Sequence, residues 1–159
     1  MRFEKFTLKG QENLQIAQQL AERFGHQQIE PEHILRALME QREGIIASIL
    51  GKIGVDQQQV IEQLDVALEK IPKVSGAGYG QVYISPRSKA VLDRAFEEAE
   101  KMKDEYVSLE HILLAIADEK EGEAARILSA SGITRDTVLK ALVDIRGGQR
   151  ITDQSPEDK

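Results

Sequence analysis

Apolar residues recur at helical spacing in a succession of runs, and the polar punctuation between them places the helix ends. Thr7 is a natural N-cap for a run carrying Leu14, Ile16, Ala17, Leu20, Ala21 and Phe24, which Gly25 closes. Pro31 favours a first helical turn and opens a second run with Ile34, Leu35, Ala37 and Leu38. A short third helix is expected over residues 44–52, with Ile46, Ile49 and Leu50. Asp56 caps a fourth, whose buried stripe is Val60, Ile61, Leu64 and Leu68 and which Pro72 stops. The next stretch, "KVSGAGYGQVYI" (residues 73–84), is too glycine-rich for a helix and reads as a linker, with "QVYI" briefly extended. Then the plan restarts. Ser85-Pro86 opens a helix with Val91, Leu92, Ala95, Phe96 and Ala99. Ser108 caps "LEHILLAI", and Thr134 caps a last helix with Val138, Leu139, Leu142, Val143 and Ile145. Residues 147–159 are polar, lack apolar periodicity and read as a tail or linker.

The restart is a repeat. A displacement of 78 positions lays His33 on His111, Gly44 on Gly122, Gly54 on Gly132 and Leu64 on Leu142, and "PEHILRAL" on "LEHILLAI", without a gap. Each unit of four helices is marginal for a core of its own, so the halves are expected to pack together. The expected fold is all-α: two tandem four-helix repeats joined as one pseudo-two-fold domain over residues 1–146. Repeat one covers 1–72, the linker 73–84, repeat two 85–146, and 147–159 form the tail. A groove between the halves is the expected place for a binding site. Leu8, Leu14, Leu92, Val107 and Leu109 are its candidate lining, although each fits a core position equally well.

Composition narrows the chemistry. The 159 residues contain no cysteine, so there is no thiol nucleophile and no thiolate metal site. A net charge of -6 and the absence of tryptophan argue against nucleic acid. No apolar run approaches a membrane span, and "MRFEKFTLKG" does not read as a signal peptide, so a cytoplasmic location is expected. No P-loop occurs, no HExxH zinc motif and no Gly-x-Ser-x-Gly elbow, while "GAGYG" lacks the spacing of a dinucleotide fingerprint. Hence no catalytic residue, metal or cofactor is expected in this chain.

The doubled Glu-His pair remains. Neighbouring helix residues point about 100° apart, so Glu and His do not share a face. The histidines, His33 and His111, read as partly buried packing residues near helix starts. Glu32 and Glu110 sit in first turns, where the positive end of the helix dipole favours a carboxylate. They also stand at matched spacing after capping hydroxyls, Thr7 before Glu32 and Ser85 before Glu110. Each hydroxyl and carboxylate could therefore share a small polar pocket suited to a cationic or guanidinium group. Asp104 and Glu105 add negative charge before the second copy.

The opening "MRFEKFT", the doubled "EHIL" helices, the "EG…IL…G" segments and the closing "IRGGQRITDQSPED" together resemble the N-terminal domain of Clp-type AAA+ chaperones, nearest the ClpB-type disaggregases. The closing segment resembles the junction that leads into the first ATPase module. The resemblance implies a mobile, monomeric, substrate-engaging domain of a hexameric ATPase. Such a domain binds exposed apolar segments of unfolded or aggregated polypeptides weakly and helps deliver them to the central pore, alongside the DnaK system. ATP and Mg would belong to modules absent from this sequence. It also implies roles in chaperone activity for Thr7, Asp104 and Glu110, so charge reversal at either acid is expected to impair disaggregation and leave the fold intact. ClpB-type relatives often carry an apolar residue where His111 stands. In ClpC-type relatives a Thr-Glu pocket receives phosphoarginine, which makes an adaptor-docking or phosphoarginine-binding module the alternative. A small stand-alone enzyme and a structural spacer complete the set.

Overall fold

The computed structural model describes residues 2–74 and 81–158. The "GAGYG" part of the segment read as a linker lies outside the described residues. Repeat one contains α1 (Leu8–Arg23), β1 (Gln28–Ile29), α2 (Pro31–Leu38), α3 (Ile45–Ile53) and α4 (Gln57–Glu69). Then follow β2 (Tyr83–Ile84), α5 (Pro86–Lys101), α6 (Leu109–Ala117), α7 (Glu123–Ala130) and α8 (Arg135–Arg146). The all-α double repeat is thus the observed architecture, with very little strand.

Capping sets the helix starts. Thr7 accepts from the Gly10 amide, Ser85 from Ser88, Asp56 from Gln58 and Thr134 from Thr137. Each hydroxyl or carboxylate satisfies an amide that has no partner within the helix. α3 and α7 start at Gly44 and Gly122, both at φ near +100° (99° and 103°), a region that excludes side chains.

The short helices α2 and α6 lie at the centre. Eight of the nine residues of α6 are buried, as are most of α2. A helix apolar on nearly every side belongs inside a core, not on its surface. α1 packs on α2 and α5 on α6; across the seam α2 meets α6, α3 meets α8, and α4 meets α7. One continuous apolar core runs through both halves, from Ile34, Leu35 and Leu64 to Ile112, Leu113 and Leu142.

Backbone pairing stitches the seam. β1 pairs in parallel with β2, Ile29 opposite Ile84, and Ser85 donates to the Ile29 carbonyl at 3.2 Å. Phe6 pairs in parallel with Val107, and Thr7 donates to the Val107 carbonyl at 2.9 Å. Under the 78-residue displacement these are one contact made twice. The end of the segment read as a linker is therefore part of the seam.

Candidate functional site

A cleft of about 410 Å³ opens on the seam. Leu92, Ile34 and Ile29 form its base; Phe3, Leu14 and Ile84 form its walls, with Gln15 and Gln18 at the rim. Leu14 and Leu92 are equivalent positions of the two repeats, so the cleft lies where the pseudo-two-fold relation brings them together. Phe3 and Ile84 keep 41% and 43% of their surface in solvent, unusual for large apolar side chains. Of the five apolar lining candidates, Leu14 and Leu92 are here. Leu8 is exposed on the first turn of α1, outside the cleft. Val107 and Leu109 are core residues, 2% and 1% exposed, and lie outside this cleft. Alternation of apolar positions cannot separate core from groove, because both use the same side chains.

The two glutamates occupy a second kind of site, again present twice. Glu32 is buried and reaches across the seam. Its Oε2 accepts from the Ala124 amide at 2.9 Å, capping α7 of the other repeat. Arg87 lies between Glu32 and Glu119, donating to Glu32 Oε2 at 3.0 Å and to both oxygens of Glu119 at 2.9 Å. Hydrogen bonds donated to Glu119, and then to Glu32, raise the Arg87 pKa further, against the effect of burial. Gly122 admits this guanidinium, since a Cβ there would stand 2.0 Å from Arg87 Nη2.

Glu110 lies at the opposite end of the seam. Its Oε1 accepts a short hydrogen bond from Ser108 Oγ, and Arg146 Nη1 is 3.6 Å from its Oε2. Arg146 clamps Asp104, with Nη2 to Oδ1 at 2.6 Å and Nη1 to Oδ2 at 2.9 Å. Asp104 also accepts from His111 Nε2 at 2.7 Å and from the Ile151 amide at 2.8 Å. Burial opposes its ionisation, but these donors outweigh it and hold its pKa at about 2. Asp104 is thus the anion of a buried cluster. A lysine there would face Arg146 and His111, so charge reversal at Asp104 is expected to destabilise the domain, which qualifies the expectation of an intact fold at this position.

Thr7 belongs to this second site and not to Glu32. Its hydroxyl accepts from the Gly10 amide and donates to Glu157 Oε2 at 2.9 Å. Burial, together with the nearby Glu110 charge, raises the Glu157 pKa. Ser85 caps α5 two residues before Arg87, with residues 85–88 against 29–32, on the Glu32 side. The hydroxyl–carboxylate pairs inferred from spacing are therefore exchanged between repeats, because the seam sets the start of each repeat's first helix against the other's second. Arg87 and Arg146 were missed altogether. The displaced alignment carried the signal for Arg146, which takes the place of Leu68.

The histidines are fully buried, and each has a defined task. At the third position of its helix, Nδ1 of His33 accepts the Glu30 amide at 2.9 Å and Nδ1 of His111 accepts the Ser108 amide at 2.8 Å. Nε2 then carries the proton. In repeat one it meets Nδ1 of His26 at 2.8 Å; in repeat two it meets Asp104. Burial, and then the neighbouring His26, lower the His33 pKa to about 4. Among the described residues no group of histidines and carboxylates is placed to hold a metal ion, and no helix is long and apolar enough to cross a membrane.

Residues 5–131 match the Clp repeat (R) N-terminal domain. The chain is 41% identical over 161 residues to the chaperone protein ClpB of Nitratidesulfovibrio vulgaris, covering 99% of this chain and 19% of that protein. It is 39% identical over 159 residues to ClpB of Porphyromonas gingivalis, covering all of this chain and 18% of that protein. The chain thus spans about a fifth of the length of the relatives it matches. Its fold is similar to that of the Hsp104 N-terminal domain from Candida albicans, with a TM-score of 0.83 at 24% identity, covering 96% of this chain and 99% of that one. A ClpV N-domain in complex with a VipB peptide gives a TM-score of 0.65 at 17% identity, covering 98% and 91%.

Proposed function

The chain belongs to the Clp repeat N-terminal domain family, and on that premise we propose that it is the client-engaging domain of a ClpB-type disaggregase. It takes exposed apolar segments of unfolded or aggregated polypeptides into the seam groove and passes them to the pore of an ATPase ring. The modules that bind ATP and Mg, and the contacts with the DnaK system, belong to the rest of the protein. The chain itself carries no catalytic step, and it works in the cytoplasm.

The observation that carries this reading is the groove, where apolar walls stay in solvent although a core lies directly beneath. An apolar segment burying ~300 Å² there gains roughly 7–8 kcal/mol at about 25 cal/mol per Å². Association costs on the order of 4–15 kcal/mol, so the net is at most about 4 kcal/mol and a single site binds no tighter than about millimolar. Weak capture suits a client that must be released, and several copies on a ring restore avidity through effective concentration. The phosphoarginine alternative has less support. Arg87 and Arg146 already bring guanidinium groups to Glu32 and Glu110.

The test is a chemical-shift titration with a permanently unfolded apolar polypeptide. Shifts should cluster at Leu14, Ile84 and Leu92, and Ile84→Asp should weaken binding about tenfold, or ~1.4 kcal/mol, with unchanged helicity. Diffuse shifts, or unchanged affinity in Ile84→Asp, would overturn the proposal.

A further inference from the structure

The polar segment after α8 does not leave the domain freely. The chain reverses at Gly147, and Arg146 Nη2 holds the Gln149 carbonyl at 2.9 Å. Ile151 is buried; its amide donates to Asp104 and its carbonyl accepts from the Glu105 amide at 2.8 Å. Further along, the Gln154 carbonyl accepts from the Leu8 amide at 2.8 Å, and Gln154 Nε2 reaches the Glu4 and Phe6 carbonyls. Glu157 ends the run on the Thr7 hydroxyl, beside Glu110.

These contacts fall where the repeats depart from one another. Leu8 offers the first amide of α1, a donor with no partner inside the helix; its counterpart Pro86 has no N–H to give. Asp104 stands where repeat one has His26, and Arg146 where it has Leu68. A segment could not dock in the same way on the other half. Symmetry is lost at Leu8, Asp104 and Arg146, three of the positions that hold residues 149–157.

We propose that the face formed by Thr7, the Leu8 amide, Asp104, Glu110 and Arg146 is a docking site for the chain's own segment 149–157, a strap that fixes the direction in which the polypeptide leaves the domain. On this assignment, which rests on the proposed function, Thr7, Asp104 and Glu110 hold the strap and through it set the attitude of the domain, without touching a client. Clients use the groove and the strap uses this face, so the two can be tested apart.

Amide hydrogen exchange on the 159-residue chain provides the test. The Leu8, Glu105 and Ile151 amides should be protected. Ile151→Asp places a second anion against Asp104 and removes the apolar anchor, so it should speed exchange at Leu8 about tenfold or more, while core amides of α2 and α6 stay protected. The Leu8 amide bonds to Gln154 and not to Ile151, so this loss reports release of the strap as a unit. Gln154→Ala, which removes only the contacts to Glu4 and Phe6, should give a smaller increase at Leu8 and serves if Ile151→Asp does not fold. Unprotected Leu8 and Ile151 amides in the parent chain would overturn the proposal. So would Leu8 protection that survives both substitutions.

Discussion

Repeat one and repeat two bury the same histidine in the same capping geometry and then satisfy it by opposite means. In repeat one, His33 leans on His26, and the position corresponding to Arg146 is the core residue Leu68. In repeat two, His111 leans on Asp104, and Arg146 closes a buried ion pair around it. One centre is neutral and depends on two imidazoles remaining so. The other is charged and depends on every member being present. The comparison shows that a repeat can preserve the hydrogen bond its backbone needs and exchange everything behind it.

The comparison can be broken most severely at Arg146. Arg146→Leu leaves Asp104 buried with too few donors and should cost about 3–5 kcal/mol in urea unfolding. Adding Asp104→His installs the partners of repeat one and should recover most of that loss. No recovery would mean that the two centres are not interchangeable.

Acid separates the centres next. The His33 pKa, about 4 in the folded state against 6.5 unfolded, favours the neutral ring when folded. Its contribution is complete above 6.5 and is lost as pH falls from 6.5 towards 4, about 3 kcal/mol in all. The depressed Asp104 contributes above 3.8 and is lost only as pH falls through about 2. Urea midpoints measured across both windows should show the first loss well before the second; a flat profile down to pH 4 contradicts the assignment.

The smallest contrast lies at the paired glycines. Gly44→Ala and Gly122→Ala each force a side chain into positive-φ backbone, at about 1–3 kcal/mol. Gly122→Ala must also displace Arg87 from Glu32, whereas the nearest atom at Gly44 is Gln41 Oε1 at 3.5 Å. The Gly122 variant should therefore be less stable by about 1.5 kcal/mol more, the lower end of the worth of a charged hydrogen bond. Equal melting shifts would show that the Arg87 clamp adds nothing.

The fold was legible because its signals are local. Thr7, Asp56, Ser85 and Thr134 cap helices whose apolar period is plain, and the displaced alignment exposed the duplication. The groove was legible only through Leu14 and Leu92, since Val107 and Leu109 show the same pattern from inside the core. Partners across the seam were illegible: nothing local tells Thr7 that it lies on the Glu110 side. The docked strap was hidden by its own polarity, because Ile151 is a single apolar residue and most of the other contacts are to backbone groups or capping side chains that no periodicity reveals.

The reciprocal stitches, Ile84 on Ile29 and Phe6 on Val107, have the form of an isologous dimer interface, in which patch one meets patch two in both directions. The covalent connection between the halves raises their local concentration at an interface of that form. A single repeat carrying the same two edges has the surfaces needed to pair with a second copy of itself in the same way.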